Sequence, residues 1–213
     1  VAYDNCATPG PYSPDAASAG RRTLRNLALG YLMEGGDAET RAACVRQFRQ
    51  ADNMTDSIAA LSSLAQWDCP ERVEALEAFY QRWKDEPLVV DKWLSVQATS
   101  RLPQTLDEVK RLAAHPAFDM RNPNKVYALI RGFCANHVRF HAADGSGYAF
   151  AADKTIELDA MNPQVAARVA RAFDRWKRFD AGRQAHARAA LERIREASGL
   201  SRDVAEIVTR ALS

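Results

Sequence analysis

Residues that stop or start helices recur at short intervals along this chain, and nearly every stretch between them carries apolar side chains three and four apart. Period-two alternation, the mark of a half-buried strand, is nearly absent. The pattern predicts an all-α fold. Ser13-Pro14-Asp15 opens a helix whose stripe runs through Leu24, Leu27, Leu29 and Leu32 and closes at Gly35-Gly36. Asp37 caps a second helix carrying Val45 and Phe48, so the pair reads as a helical hairpin. Another helix starts at Asn53 or Thr55. The next has Pro70 in its first turn and Val73, Leu76, Phe79, Tyr80 and Trp83 facing inward.

After Pro87 comes "LVVDKWLSVQATS". Thr105 and Glu108 then have the spacing of a capping box, and Pro116 ends that helix. Asn122-Pro123 and Asn162-Pro163 open two more, each joining a capping side chain to a proline suited to the first helical position. The stretch "AADGSGYAF" reads as the longest interior break, with a tight turn at "DGSGY" and a helix over "AADKTIELDAM" after it. Helices from about Ala181 to Ala197 and from Ser201 onward complete the chain.

Through the middle, helix starts recur roughly every 16 to 18 residues, which makes a two-helix unit of about 34, the scale of helical solenoids. No repeated consensus letters accompany that period. The expected architecture is an irregular α-superhelix, a solenoid-like stack of antiparallel helix pairs, with a compact bundle as the other arrangement. Residues 1–213 are expected to form a single helical domain, with 1–13 as a linker or loop leading into it. A start at Val1, with no initiator methionine, fits a segment of something larger.

With 47% hydrophobic residues the chain can bury a full core. Its 29 Lys and Arg nearly balance 27 Asp and Glu, so no global charge demands a nucleic acid or an anionic membrane. No apolar run approaches the roughly 18 residues of a spanning helix, and the stretch "VAYDNCATPGPYSP" lacks the basic-then-apolar pattern of a signal sequence. Cys6, Cys44, Cys69 and Cys134 are widely separated, and Cys44 and Cys134 sit in apolar helical contexts that suit reduced thiols.

Few side chains suggest chemistry. Cys134, His137 and His141 have helical offsets that could bring three metal ligands together, but no second Cys/His pair supplies a fourth, and the expected metal content is none. There is no G-x-S-x-G, and "DGSGY" lacks the lysine of a phosphate loop. Arg168 to Arg195 is a basic stretch. Its aromatics, Phe173 and Trp176, follow the apolar stripe of Val165, Val169 and Ala172, which argues for core packing over base stacking.

Particular words are more telling: "RRTLRNLALGYL" (21–32), "QFRQADNMTDSIAALSSL" (47–64), "DKWLSVQATS" (91–100), "FDMRNPNKV" (118–126), "DGSGY" (144–148) and "NPQVAAR" (162–168). In this order they resemble the C-terminal helical domain of the bacterial aminopeptidase N family, zinc-dependent enzymes of the gluzincin class. The resemblance runs from Arg21 to the C-terminus. It implies a cytoplasmic multidomain hydrolase in which a separate thermolysin-like domain of the same polypeptide holds zinc and this domain closes over the catalytic chamber.

The family's H-E-x-x-H zinc motif and G-x-M-E-N motif are both missing here. The segment alone is therefore expected to be inactive, with no catalytic residue and no metal of its own. The resemblance further implies that Gln164 approaches the pocket for a peptide's N-terminal side chain, and Arg168 the path of the rest of a short peptide. They lie one helical turn apart, with Arg171 and Arg175 following along the same expected face as solvent or ion-pair residues. A free-standing helical-repeat module that binds another protein is the alternative.

Overall fold

The computed structural model describes residues 2–7 and 10–213; Val1, Thr8 and Pro9 lie outside the described residues. Every regular element among them is helical, as the missing period-two pattern predicts. The chain divides into two compact units, Val1–Val96 and Gln97–Ser213.

The first unit contains α1 (Ala2–Asn5), α2 (Ala16–Gly35), α3 (Ala38–Gln50), α4 (Met54–Leu64), α5 (Pro70–Trp83) and most of α6 (Pro87–Ala98). Residues 1–13 are expected to be loop, yet α1 forms there. Its Tyr3 is buried, with the Arg25 guanidinium 4.7 Å from the ring and Arg25 Nη2 donating to its hydroxyl at 3.2 Å. The predicted caps hold: Asp15 accepts from the Ser18 N–H at 2.9 Å, Asp37 from Thr40 at 2.7 Å and Asn53 from Asp56 at 3.0 Å. Gly36 ends α2 at φ 64°, where a Cβ would strike the Trp67 ring.

The inward stripe of α2 differs from the expected leucines. Leu24, Leu27 and Leu32 are exposed, and Arg22, Leu29 and Met33 are buried. Asn26 lies on that same face, bonded through Nδ2 to Asp56 Oδ1 at 2.8 Å and accepting from Gln47 Nε2 at 2.7 Å. A polar network therefore fixes the rotation of this helix, which hydrophobic spacing alone could not reveal. In α5, Leu76 and Phe79 are buried as expected, whereas Val73 faces solvent. Trp93 of α6 donates its indole N–H to the Leu76 carbonyl at 3.0 Å.

The second unit holds α7 (Thr105–Ala113), α8 (Pro123–Val126), a π-helical turn (Tyr127–Arg131), α9 (Gly132–Ala135), α10 (His137–Phe140), α11 (Ser146–Asp159), α12 (Pro163–Ala170), α13 (Ala181–Arg195) and α14 (Arg202–Leu212). Thr105 and Glu108 do not form the predicted capping box. Thr105 lies inside α7 and gives its hydroxyl proton to the Ser100 carbonyl at 2.9 Å, while the Glu108 carboxylate pairs with Arg111. The expected long break is also shorter, since α11 begins at Ser146. Asp144 Oδ1 accepts from the Ser146 N–H at 3.0 Å, and Gly147 fits where a Cβ would lie 2.3 Å from the Phe140 carbonyl oxygen.

α11 packs on α12 and α13, and α14 packs on the same two helices. Phe133, Phe140, Tyr148, Phe150 and Phe173 fill the interior. The Phe140 ring meets those of Phe133, Tyr148 and Phe173 edge-on at centroid separations of 6.4, 5.2 and 5.8 Å. All four cysteines are free.

Candidate functional site

Asn162 accepts from the Val165 N–H at 3.2 Å and Pro163 takes the first helical position, so α12 starts as its sequence predicts. Val165, Ala166, Val169 and Ala170 are buried, which leaves Gln164 and Arg168 on the exposed face one turn apart. Arg168 Nη1 donates to the Tyr127 hydroxyl at 2.8 Å, and its guanidinium carbon lies 5.8 Å from the Tyr127 ring centroid. The Arg131 guanidinium sits 6.0 Å from the same ring. Tyr127 and Arg131 are the two ends of the π turn, where the Gly132 N–H reaches back five residues to the Tyr127 carbonyl. Such turns are rare in proteins and concentrate at functional sites.

α12 stops at Ala170, and a 3₁₀ turn over Arg171–Phe173 follows. The single face expected to carry Gln164, Arg168, Arg171 and Arg175 is therefore broken. Arg168, Arg171 and Arg175 come together with Arg131 and Arg178 around a cleft of about 480 Å³, and Gln164 is not among its lining residues. Asp174 is the only carboxylate in that lining, and it pairs with Arg171 Nε at 3.1 Å. Cys134, Ala135, Ala172 and Phe179 supply apolar surface.

His141 also borders the cleft and is nearly buried, its ring stacked 3.8 Å from that of Phe179 and its Nδ1 2.8 Å from the Tyr148 hydroxyl. Burial first, then the neighbouring His137 and Arg183, push its pKa down to about 4, so it is neutral at neutral pH. Burial pushes the Cys134 thiol up to about 12 and keeps it protonated. The His141 Nδ1 is already engaged with the Tyr148 hydroxyl, which leaves it unavailable to a metal shared with Cys134 and His137. No group of three or more His, Cys, Asp or Glu among the described residues is placed to hold a metal ion, so these residues do not fit a zinc site.

Phe173 and Trp176 are core residues, as their spacing predicts, with the Trp176 indole N–H donating to the Ala211 carbonyl at 2.9 Å. Among the described residues, no helix is long and apolar enough to cross a membrane. The sequence assigns no role to Tyr127 or Arg131, and Arg178 reads only as part of the basic stretch. Tyr127 meets Arg168 across 41 residues of chain, and no local pattern announces that contact.

Residues 1–213 match the family described as a domain of unknown function (DUF3458_C) with ARM repeats. Aminopeptidase N of Caulobacter vibrioides is 41% identical over 204 residues, covering 95% of this chain and 24% of the relative. Aminopeptidase N of Escherichia coli K12 is 40% identical over 217 residues, covering 100% and 25%. The crystal structure of Legionella pneumophila aminopeptidase A in complex with aspartic acid superposes with a TM-score of 0.90 at 35% identity, over 99% of this chain and 26% of that one. The chain thus spans about a quarter of the length of the curated relatives it matches. It is the counterpart of the C-terminal domain of these aminopeptidases, which are hydrolases, and it belongs to the DUF3458_C family of ARM-repeat domains.

Proposed function

We propose that the intact protein carrying this chain is a cytoplasmic, zinc-dependent aminopeptidase that removes N-terminal residues from short peptides, and that residues 1–213 act together as its substrate-enclosing domain. The observation that carries this reading is identity of 40–41% to two aminopeptidases N across essentially the whole chain. Zinc would be held by a catalytic domain elsewhere in the same polypeptide, since no group of three or more His, Cys, Asp or Glu among the described residues is placed to hold it. The metal would polarise the scissile carbonyl and activate water there. This chain alone would be inactive.

What its own residues do is bind and confine. Gln164, exposed in the first turn of α12, offers an amide donor and acceptor toward the N-terminal side of a peptide. Arg168 offers the N–H groups that Tyr127 does not use to a backbone carbonyl or a carboxylate farther along. The Tyr127 hydroxyl fixes the guanidinium before any peptide arrives, which reduces the ordering cost of binding. On α2, the exposed Leu24, Leu27 and Tyr31 form an apolar face suited to contact with the rest of the polypeptide.

Replacing Arg168 by alanine in the intact enzyme should lower kcat/KM for tri- and tetrapeptides about tenfold, or about 1.4 kcal/mol, while barely changing single-residue chromogenic amides. Equal losses on both substrates would remove the assigned role. Gln164→Ala should reorder preference among N-terminal residues. The ARM-repeat description favours one competing reading, a module that binds another protein. An intact protein with no peptidase activity and a tight protein partner would establish that reading instead.

A further inference from the structure

The whole chain carries nearly equal numbers of basic and acidic residues, 29 against 27, but the cleft beside α12 does not share that balance. Five guanidinium groups line it, from Arg131, Arg168, Arg171, Arg175 and Arg178, against one carboxylate. Asp174 is engaged by Arg171. The other four arginines have no carboxylate partner among the described residues, and Arg168 is steadied by the hydroxyl and ring of the neutral Tyr127. Like charges gathered around one concavity repel each other, and a ligand bearing several negative charges relieves that repulsion as it binds.

The shape narrows the ligand. A volume of about 480 Å³ lies within the roughly 300–1,000 Å³ of sites that enclose small ligands, and it suits a short peptide segment. Ala135, Ala172 and Phe179 provide apolar surface for side-chain methylenes between the charges. Base stacking finds little platform here, since the Phe179 ring is stacked on His141 and the one other ring in the lining, the small imidazole of His137, meets His141 edge-on. Planar guanidinium groups pair with carboxylates through two parallel hydrogen bonds.

We propose that this cleft is a binding site for a carboxylate-rich peptide segment, namely acidic side chains and the C-terminal carboxylate of a short peptide, read by Arg131, Arg175 and Arg178 beyond the contact made by Arg168. The inference rests on the substrate-enclosing reading for its choice of a peptide. Within that reading it assigns the intact enzyme a preference for acidic residues downstream of the bond it cleaves.

The test is calorimetric titration of the intact protein with acetyl-Ala-Ala-Glu-Glu and with acetyl-Ala-Ala-Gln-Gln. Their blocked amino termini allow binding to be read without hydrolysis. The acidic peptide should bind about tenfold more tightly at low salt, and the contrast should shrink as salt screens the charges. The double variant Arg175→Gln, Arg178→Gln removes two charges at exposed positions while keeping polar side chains there, and should abolish most of the contrast. Equal affinities for the two peptides, or a contrast that survives in the double variant, would overturn the proposal. So would a single-stranded oligonucleotide that binds more tightly than the acidic peptide. Absence of peptidase activity in the intact protein would instead sink the enclosing-domain reading and leave this contrast measurable, so the two fail separately.

Discussion

Between α2 and α4 the first unit turns Arg22, Gln47 and Asp56 inward, whereas from α9 to the turn after α12 the second unit fills its interior with Phe133, Phe140, Tyr148, Phe150 and Phe173. The two interiors depend on different physics. Aromatic rings contribute through buried area and shape, so each is worth much and demands little of its neighbours beyond a good fit. A polar interior depends on direction: each donor must find an acceptor, and a missing partner costs about 1–3 kcal/mol. The first unit does not meet that demand fully, since Gln47 Oε1 and Arg25 Nε have no partner among the described residues. The same contrast extends to its arginines. Arg22 and Arg25 lie 4.7 Å from the rings of Tyr12 and Tyr3, while in the second unit Tyr127 steadies an arginine that faces solvent.

Removing a ring should break the comparison most violently. Phe140 is fully buried among the rings of Phe133, His141, Tyr148 and Phe173, so Phe140→Ala should destabilise the protein by about 3–5 kcal/mol through lost area and an unfilled cavity. Urea unfolding followed by near-ultraviolet circular dichroism measures this. A loss below about 1 kcal/mol would show that the ring cluster collapses around the gap and does not dominate the unit.

Acid should probe the imidazole packed against that cluster. The imidazole of His141 has a folded pKa of about 4 against 6.5 when free, so between these values the unfolded chain binds the extra proton. Stability from this residue is complete above pH 6.5 and is progressively lost as pH falls toward 4. His141→Phe keeps a ring on Phe179 and should flatten the stability profile across that window. A profile of unchanged slope in the variant would assign the acid sensitivity elsewhere.

The elements were legible in the sequence because their signals are local. Asp15, Asp37, Asn53, Asn162 and Ser201 all cap helices where their sequence contexts predict. Helix rotation was legible only where the buried stripe is apolar, as in α12, and failed in α2, where Asn26 and Arg22 occupy inward positions beside Leu29. The site was half legible. Arg168 is exposed at the predicted helix face, but its partner Tyr127 lies 41 residues away, and the arginine cleft forms only because α12 ends at Ala170 and the following turn swings Arg171 and Arg175 toward Arg131. Neither a π turn nor an early helix end is written in residue periodicity, since both depend on what the chain packs against.

The gentlest perturbation sharpens the comparison from the polar side. The Asp56 carboxylate accepts from Asn26 Nδ2 at 2.8 Å through one oxygen and from Asn53 Nδ2 at 3.0 Å through the other. Asp56→Asn keeps the volume but replaces one acceptor with an NH₂ group, which must then face a donor from either Asn26 or Asn53. No flip of the new amide satisfies both, so one hydrogen bond is exchanged for a donor–donor contact at about 1–2 kcal/mol. Amide hydrogen exchange should report faster opening in α2 and α4, the helices the carboxylate ties together. Asp56→Leu keeps the branched shape but removes the polar group and should cost more than the asparagine, because Asn26 Nδ2 then loses its acceptor, Asn53 Nδ2 keeps only Asp52, and leucine gains only a polar neighbourhood. If leucine proved the milder change, the carboxylate would be a burden that the first unit carries, and the directional account of its interior would be wrong.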